Sequence, residues 1–283
     1  MDEPGFKLSE ANVAVIGLGL MGGSMALALR DHCRQLKGLD VDPDTLSLAE
    51  QMNLVQTASS DPRVVLNDAD LVILACPVPA ILSWLEQLPA YIQQPCVVID
   101  LGSSKRTILT GMQELPLNFD PIGAHPICGK ETLSLRNAEG GLYRGATMAV
   151  TPLERSGLNA NQAVRQLVAA LEAQMVVEEA AQHDRALAAT SHLPYVLSSA
   201  LVLATPPDVE RFIGPGFRST ARLAGTPASM MLGVLETNRD QVLERLKDFR
   251  AALGQLEQAL ERDDMPALQT LLDSAQSRYQ TLL

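Results

Sequence analysis

The rhythm of hydrophobic positions changes about two thirds of the way along the chain. Up to that point apolar residues come as short continuous runs: Val13 to Ile16, "LVILACP" (71 to 77), "CVVID" (96 to 100), "DPIGAH" (120 to 125), "TMAV" (147 to 150) and "QMVVEE" (174 to 179). Such runs predict strands covered on both faces, as in a parallel sheet. Helical patterns lie between them, as at Ala80 to Leu88 and Leu158 to Leu171. This alternation predicts a doubly wound α/β domain over residues 11–181. From residue 182 the strand runs stop, and the pattern predicts an all-α domain over 182–283. Within it "HDRALAATSHLPYVLSSALVLA" reads as one long helix kinked at Pro194, because proline lacks the N–H that the helix needs. Further on, Val242, Leu246, Phe249, Leu253, Leu256 and Leu260 alternate spacings of four and three. That seam suits the buried helix of a monomer and a subunit interface equally well.

The first apolar run leads straight into glycines. In "NVAVIGLGLMGGSMALALR", Gly17, Gly19 and Gly22 form a GxGxxG fingerprint between a predicted strand and a predicted helix. Each glycine has a reason: a tight turn, close approach of backbone to a pyrophosphate, and close packing of helix on strand. The helix start adds free N–H groups and partial positive charge for phosphates. These features predict a Rossmann-type domain with Gly17, Leu18, Gly19, Leu20, Met21 and Gly22 as its cofactor loop. Asp40 follows Gly22 by 18 positions, at the end of the second strand. A carboxylate there accepts from a ribose 2′-hydroxyl and repels a 2′-phosphate, which predicts NAD over NADP. The competing reading makes Asp40 a helix cap, a role for which Asp42 also competes. Ligands of such sheets bind beyond the carboxyl ends of the strands, where "CPVP" with Pro77, "DLGSSK" and "AHPICG" fall.

Composition narrows the functional classes. The formal net charge of -11 argues against broad nucleic-acid binding. It also means that an anionic substrate needs a local cluster of cations against the global field. "GFRSTARLAGTP" supplies one, with Arg218 and Arg222 four apart on one helical face, although a solvated pair is the usual meaning of that spacing. No apolar run approaches the roughly 18 to 20 residues of a membrane span, and "MDEPGFKLSE" lacks the features of a signal peptide. A cytoplasmic protein without membrane contact is expected. The four cysteines are scattered without a CxxC pair, which predicts neither a disulfide nor a metal site.

Histidine is scarce, with four in the chain. His125 lies in "GAHPICG" directly before Pro126, so its backbone is extended, at a strand end, where it is a turn residue or chemistry. His183 and His192 are nine apart, about 180° around an ideal helix, and cannot share one metal from a straight helix. His192 is the better site candidate because Ser191 and the kink adjoin it; a hydrogen-bonded structural histidine is the alternative.

Four motifs in order, "GLGLMGGS", "DLGSSK", "GAHPICG" with "SHLPY", and "GFRSTAR", make the chain similar to the prephenate and arogenate dehydrogenase family of tyrosine biosynthesis, from Val13 to the C-terminal helices. The resemblance implies oxidative decarboxylation of a cyclohexadienol by NAD, driven by aromatisation. It implies that His125 accepts the hydroxyl proton and that Ser103 hydrogen-bonds the same hydroxyl or His125. Arg222 would grip the ring carboxylate, Arg218 would add charge nearby, and His192 would line the side-chain pocket. A homodimer through the helical domain is expected. Ser219 stands where the family commonly has an acidic residue, and "SHLPY" replaces the commoner "SHLPH", so pocket detail departs from the pattern. Two rivals are a generic NAD-dependent 3-hydroxyacid dehydrogenase and a non-catalytic NAD sensor. The first needs a catalytic lysine on the helical domain, and Lys247, the only lysine after residue 130, lies in the seam region.

Overall fold

The computed structural model describes residues 5–130 and 134–282. Residues 1–238 form one compact unit and 239–283 a second.

The first unit is built on an eight-stranded sheet. Its strands are β1 (Asn12–Ile16), β2 (Gln35–Leu39), β3 (Thr57–Ser59), β4 (Leu71–Leu74), β5 (Cys96–Asp100), β6 (Phe119–Pro126), β7 (Thr147–Thr151) and β8 (Gln174–Val177). The order across the sheet is β3-β2-β1-β4-β5-β6-β7-β8. From β3 to β6 all neighbours are parallel, and β1, β4 and β5 are buried along their whole length, as continuous apolar runs require. Each Val, Leu or Ile fully buried there contributes about 1.5 to 3 kcal/mol.

Three features differ from the sequence expectation. The "LVILACP" run leaves the sheet after Leu74, so Cys76 and Pro77 belong to the turn beyond it. Strand β7 runs antiparallel to β6, and β8 parallel to β7. Among the described residues the connection from β6 to β7 holds only a short 3₁₀ turn, Leu135–Asn137, where a parallel return needs a crossover. Strand β8 is an edge, with Val176 and Val177 exposed, rather than a strand covered on both faces.

Helices α1 (Leu20–Leu29), α2 (Pro43–Gln51), α3 (Pro62–Leu66), α4 (Val78–Tyr91), α5 (Arg106–Gln113) and α6 (Leu158–Ala170) cover the sheet. The strand-helix layers enclose two apolar clusters, one holding Val13, Ile73 and Ile99, the other Ile16, Val72 and Val98. After the sheet come α7 (Ala180–Leu187), α8 (Leu193–Ala204), α9 (Pro215–Ala221) and α10 (Ala228–Thr237).

Helices α7 and α8 are joined by a π-helical segment, Ala188–His192, instead of a plain kink at Pro194. Pro194 cannot donate to the carbonyl four residues back and its ring crowds that carbonyl; widening the preceding turn relieves both. The continuous helical stretch Ala180–Ala204 contains an 18-residue window with a mean hydropathy of 1.4 and has the length to cross a membrane, which the sequence reading did not foresee. Its buried His183, Asp184 and His192 instead belong to a polar network with the sheet, described below.

The second unit consists of α11 (Arg239–Glu261) and α12 (Met265–Leu282). Along the α11 seam Val242 is buried, while Leu253 and Leu260 are 51% and 59% exposed. Leu246, Phe249 and Leu256 are half-buried, so the seam is left partly open in the single chain.

Candidate active site

The carboxyl ends of β1, β4, β5 and β6 share one rim because these strands are parallel. The glycine turn, Pro77, the "DLGSSK" loop and His125 therefore lie along that rim.

Gly17 has a φ of +91°, which side chains rarely adopt, and it makes the turn from β1 into α1. A Cβ on Gly22 would sit 1.7 Å from the Gly17 carbonyl oxygen, so only glycine lets α1 start this close to the turn. Gly19 is the N-cap of α1 and offers no side chain to the first turn, leaving the helix N-terminus open to an anion. Asp40 reaches the same loop: its Oδ2 accepts from the Leu18 N–H at 2.7 Å. The capping role belongs to Asp42, whose carboxylate accepts from the N–H groups of Asp44 and Thr45 at the start of α2. Each Asp40 oxygen keeps a lone pair for a further donor such as a ribose hydroxyl. These residues fit a dinucleotide.

His125 sits at the end of β6, 8% exposed. Its backbone is held by a pair that the sequence reading passed over. Asp100 and Lys105, fully buried at the two ends of "DLGSSK", form an ion pair. Asp100 Oδ1 accepts from the Ala124 N–H at 3.3 Å, and Lys105 Nζ donates to the Ala124 carbonyl at 2.8 Å. Both backbone polar groups of Ala124, the residue before His125, are thereby held. Burial pushes the Asp100 carboxyl up and the Lys105 ammonium down, and their mutual attraction opposes both shifts. A charged residue ending the apolar run "CVVID" was the available signal, since a buried charge requires a partner.

The His125 ring meets His183, not Ser103. His125 Nδ1 lies 2.9 Å from His183 Nε2, with the rings edge to face at 72°. His183 Nδ1 lies 2.9 Å from Asp184 Oδ1. The Asp184 carboxylate also accepts from the backbone N–H groups of Lys105 and Arg106 at 2.6 and 3.0 Å. Burial acts to raise the Asp184 pKa, but the hydrogen bonds from His183 and those N–H groups hold it below its ordinary value. His125 is held well below 6.5 by burial first, then by His183, Lys105 and His192, so it is a neutral base at physiological pH. Ser103 is half-buried in the same loop and makes no hydrogen bond to His125; the histidine's Nδ1 is already taken.

His183 and His192 both enter this network, although an ideal helix would set them on opposite faces. The π segment between them holds an extra residue per turn and so changes the phase. Asn238 Nδ2 donates to the Asp184 carbonyl at 2.7 Å and lies 3.1 Å from His192 Nδ1. His192 Nε2 is buried and has no partner among the described residues. Burial lowers the His192 pKa to about 4, against the attraction of Asp184.

Arg218 and Arg222 stay exposed, on α9 and the turn that follows it, outside the buried cluster. The Arg222 turn is nonetheless fixed. Buried Ser198 of α8 donates to the Thr220 carbonyl at 2.9 Å and accepts from the Ala224 N–H at 3.3 Å, gripping the chain on both sides of Arg222.

The chain is similar to known proteins in sequence and in fold. Residues 25–177 match the model of the prephenate dehydrogenase nucleotide-binding domain, and residues 179–274 that of the prephenate dehydrogenase dimerization domain. Prephenate dehydrogenase of Bacillus subtilis is 26% identical over 262 residues, 89% of this chain and 71% of the relative. Among solved structures, prephenate dehydrogenase of Aquifex aeolicus in complex with hydroxyphenyl propionate and NAD+ superposes with a TM-score of 0.89 at 24% identity, covering 98% of this chain and 100% of that one. Arogenate dehydrogenase of Synechocystis gives 0.79 at 28% identity, covering 96% and 100%. With the two family models together spanning most of the chain, the His125 strand and the helices after it included, the chain belongs to the prephenate dehydrogenase family.

Proposed function

We propose that His125 is the base in the oxidative decarboxylation of prephenate, with Ser103 at the reacting hydroxyl and Arg222 and Arg218 on the anionic groups of the substrate. The protein is an NAD-dependent dehydrogenase of the prephenate and arogenate class. The observation that carries the residue assignment is a neutral, buried His125 fixed on the same strand-end rim as the glycine turn. NAD, held by the glycine turn and Asp40, would supply the hydride acceptor for the ring carbon that bears the hydroxyl. His125 takes the hydroxyl proton, which prevents charge from building on that oxygen as the carbon is oxidised. Loss of carbon dioxide from the opposite ring carbon leaves its bonding electrons in the ring. His125 then returns the proton to the phenolic oxygen, so the histidine ends as it began.

His192 favours prephenate over arogenate. Asn238 donates to its Nδ1, so the neutral ring carries its proton on Nε2, a buried donor without a hydrogen-bond partner among the described residues. That donor suits the keto oxygen of a pyruvyl side chain and opposes the ammonium of an alanyl one. Arg222 supplies a bidentate contact to a carboxylate, and its local charge offsets the net charge of -11. A homodimer in the cytoplasm completes the reading. The second family model is a dimerization domain, and Val202 and Leu203 of α8 with Leu253 and Leu260 of α11 are apolar surface for a second copy to cover.

Steady-state kinetics with prephenate and arogenate, each with NAD and NADP, tests the reading. The highest kcat/KM is expected for prephenate with NAD. No turnover of either substrate would overturn the assigned reaction, and preference for arogenate would overturn the role given to His192.

A further inference from the structure

Neither the glycine turn, Ser103 nor Arg222 explains why an adjacent His–Asp pair is buried behind His125. Asp184 is fully buried and His183 is 2% exposed, a costly place for a carboxylate and an imidazole unless they act together. The hydrogen bonds determine their protonation in sequence. Asp184 takes donors on both oxygens, from Lys105 N, Arg106 N and Arg106 Nε, which is the pattern of an ionised carboxylate. Facing that anion, His183 must carry its proton on Nδ1, the atom 2.9 Å from Oδ1. Its Nε2 is then an acceptor. His125, 2.9 Å away, must donate to it through Nδ1–H, which leaves His125 Nε2 unprotonated.

We infer that His183 and Asp184 are positioning residues for His125: together they lock its tautomer so that Nε2 is the free base, and they carry the positive charge that forms when the base takes up a proton. This rests on the reading of His125 as the base of the dehydrogenase. In the step itself the substrate O–H bond breaks and an Nε2–H bond forms on His125. The imidazolium shares its charge through Nδ1–H with His183, whose own Nδ1–H points at the Asp184 carboxylate. No other reactant is needed, and the same path reverses when the proton goes back.

The surroundings make a counter-ion necessary. The groups facing His125 are His183, His192 and Lys105, all of which oppose a positive charge on it, within a buried site. Asp100 is already bound to Lys105, so among the described residues Asp184 is the anion left to serve His125. Asp184 acts only through His183, and His183 without Asp184 has no fixed tautomer. The arrangement extends the logic of a carboxylate that orients a catalytic imidazole by one further ring.

Nitrogen NMR of histidine-labelled wild-type protein near pH 7.5 reads the tautomer directly and needs no variant or substrate. His125 is expected with Nδ1 protonated and Nε2 bare; the opposite tautomer overturns the inference. His183→Phe removes the acceptor at similar volume. Its kcat for prephenate should fall by about 10²-fold, the low end of what a general base contributes, while NAD affinity by calorimetry is unchanged. His183→Gln should recover part of that loss, because its amide oxygen can accept from His125 Nδ1–H but cannot carry charge. Near wild-type kcat in His183→Phe overturns the inference. Failure of wild-type protein to turn over prephenate would count against the proposed function instead, and the NMR tautomer would still decide the histidine chain.

Discussion

Lys105→Met tests whether the buried ion pair, rather than the strand alone, holds His125 in place. The substitution keeps a long apolar stem in a fully buried position but leaves Asp100 without its cation. Breaking one partner of a buried pair costs about 3 to 5 kcal/mol. The Ala124 carbonyl also loses its donor at 2.8 Å, a further cost of about 1 kcal/mol. Urea denaturation at fixed protein concentration reads the loss. If the unpaired charge is the cause, neutralising it should recover stability. Asp100→Asn in the same chain should therefore bring the double variant at least about 2 kcal/mol above the sum of the single losses. The pH dependence has a definite sign. Burial already raises the Asp100 pKa, and removing Lys105 raises it further. A group whose folded pKa lies above its unfolded value stabilises at low pH and loses that contribution as pH rises. The deficit of Lys105→Met should therefore shrink on acidification from pH 8 toward pH 5. Activity should not follow stability back: the double variant still lacks the grip on Ala124, and its kcat should stay low. A loss under about 1 kcal/mol, or single effects that simply add, would refute the reasoning.

Three further outcomes follow from the geometry. Gly22→Ala places a Cβ 1.7 Å from the Gly17 carbonyl, so calorimetry should show NAD binding lost or severely weakened while the melting temperature moves much less; unchanged affinity would mean that the turn can shift freely. Arg222→Ala should raise KM for prephenate by roughly 30-fold to several thousand-fold, the equivalent of about 2 to 5 kcal/mol for one partner of a desolvated pair, with NAD affinity intact and only partial rescue by lysine. An unchanged KM would return Arg222 to the solvated surface. His192, 1% exposed, has its pKa lowered from 6.5 to about 4, so it supplies stability above pH 6.5 that is lost as pH falls toward 4, about 3 kcal/mol in all. Urea midpoints of wild type and His192→Phe across that window should converge as pH falls, and parallel curves would contradict the shift.

What the sequence determined by itself is what depends on neighbours along the chain. The runs at 13–16, 71–74 and 96–100 are apolar on both faces, so each had to be a covered strand. The turn at Gly17 needs a positive φ, and Gly22 needs to be bare, so the tight turn from β1 into α1 could be read from its glycines. His125 was marked by its own neighbours, because Pro126 forces an extended backbone. Other features depended on distant partners. Nothing along the chain marks His183 and Asp184 as a pair that faces His125, which folding brings against His183 from 58 positions earlier. Asp100 was marked by the apolar run that it ends, but Lys105 was not marked as its partner, since the burial of the lysine is a property of the packed sheet and not of "DLGSSK". The phase of His192 depended on a π turn that relieves Pro194, and ideal helical spacing could not predict it. The direction of β7 depended on a connection without a crossover helix among its described residues. Local backbone chemistry selected the elements and marked His125; only tertiary packing could supply that histidine with its partners, because a charge or an imidazole acquires its protonation from what surrounds it in space.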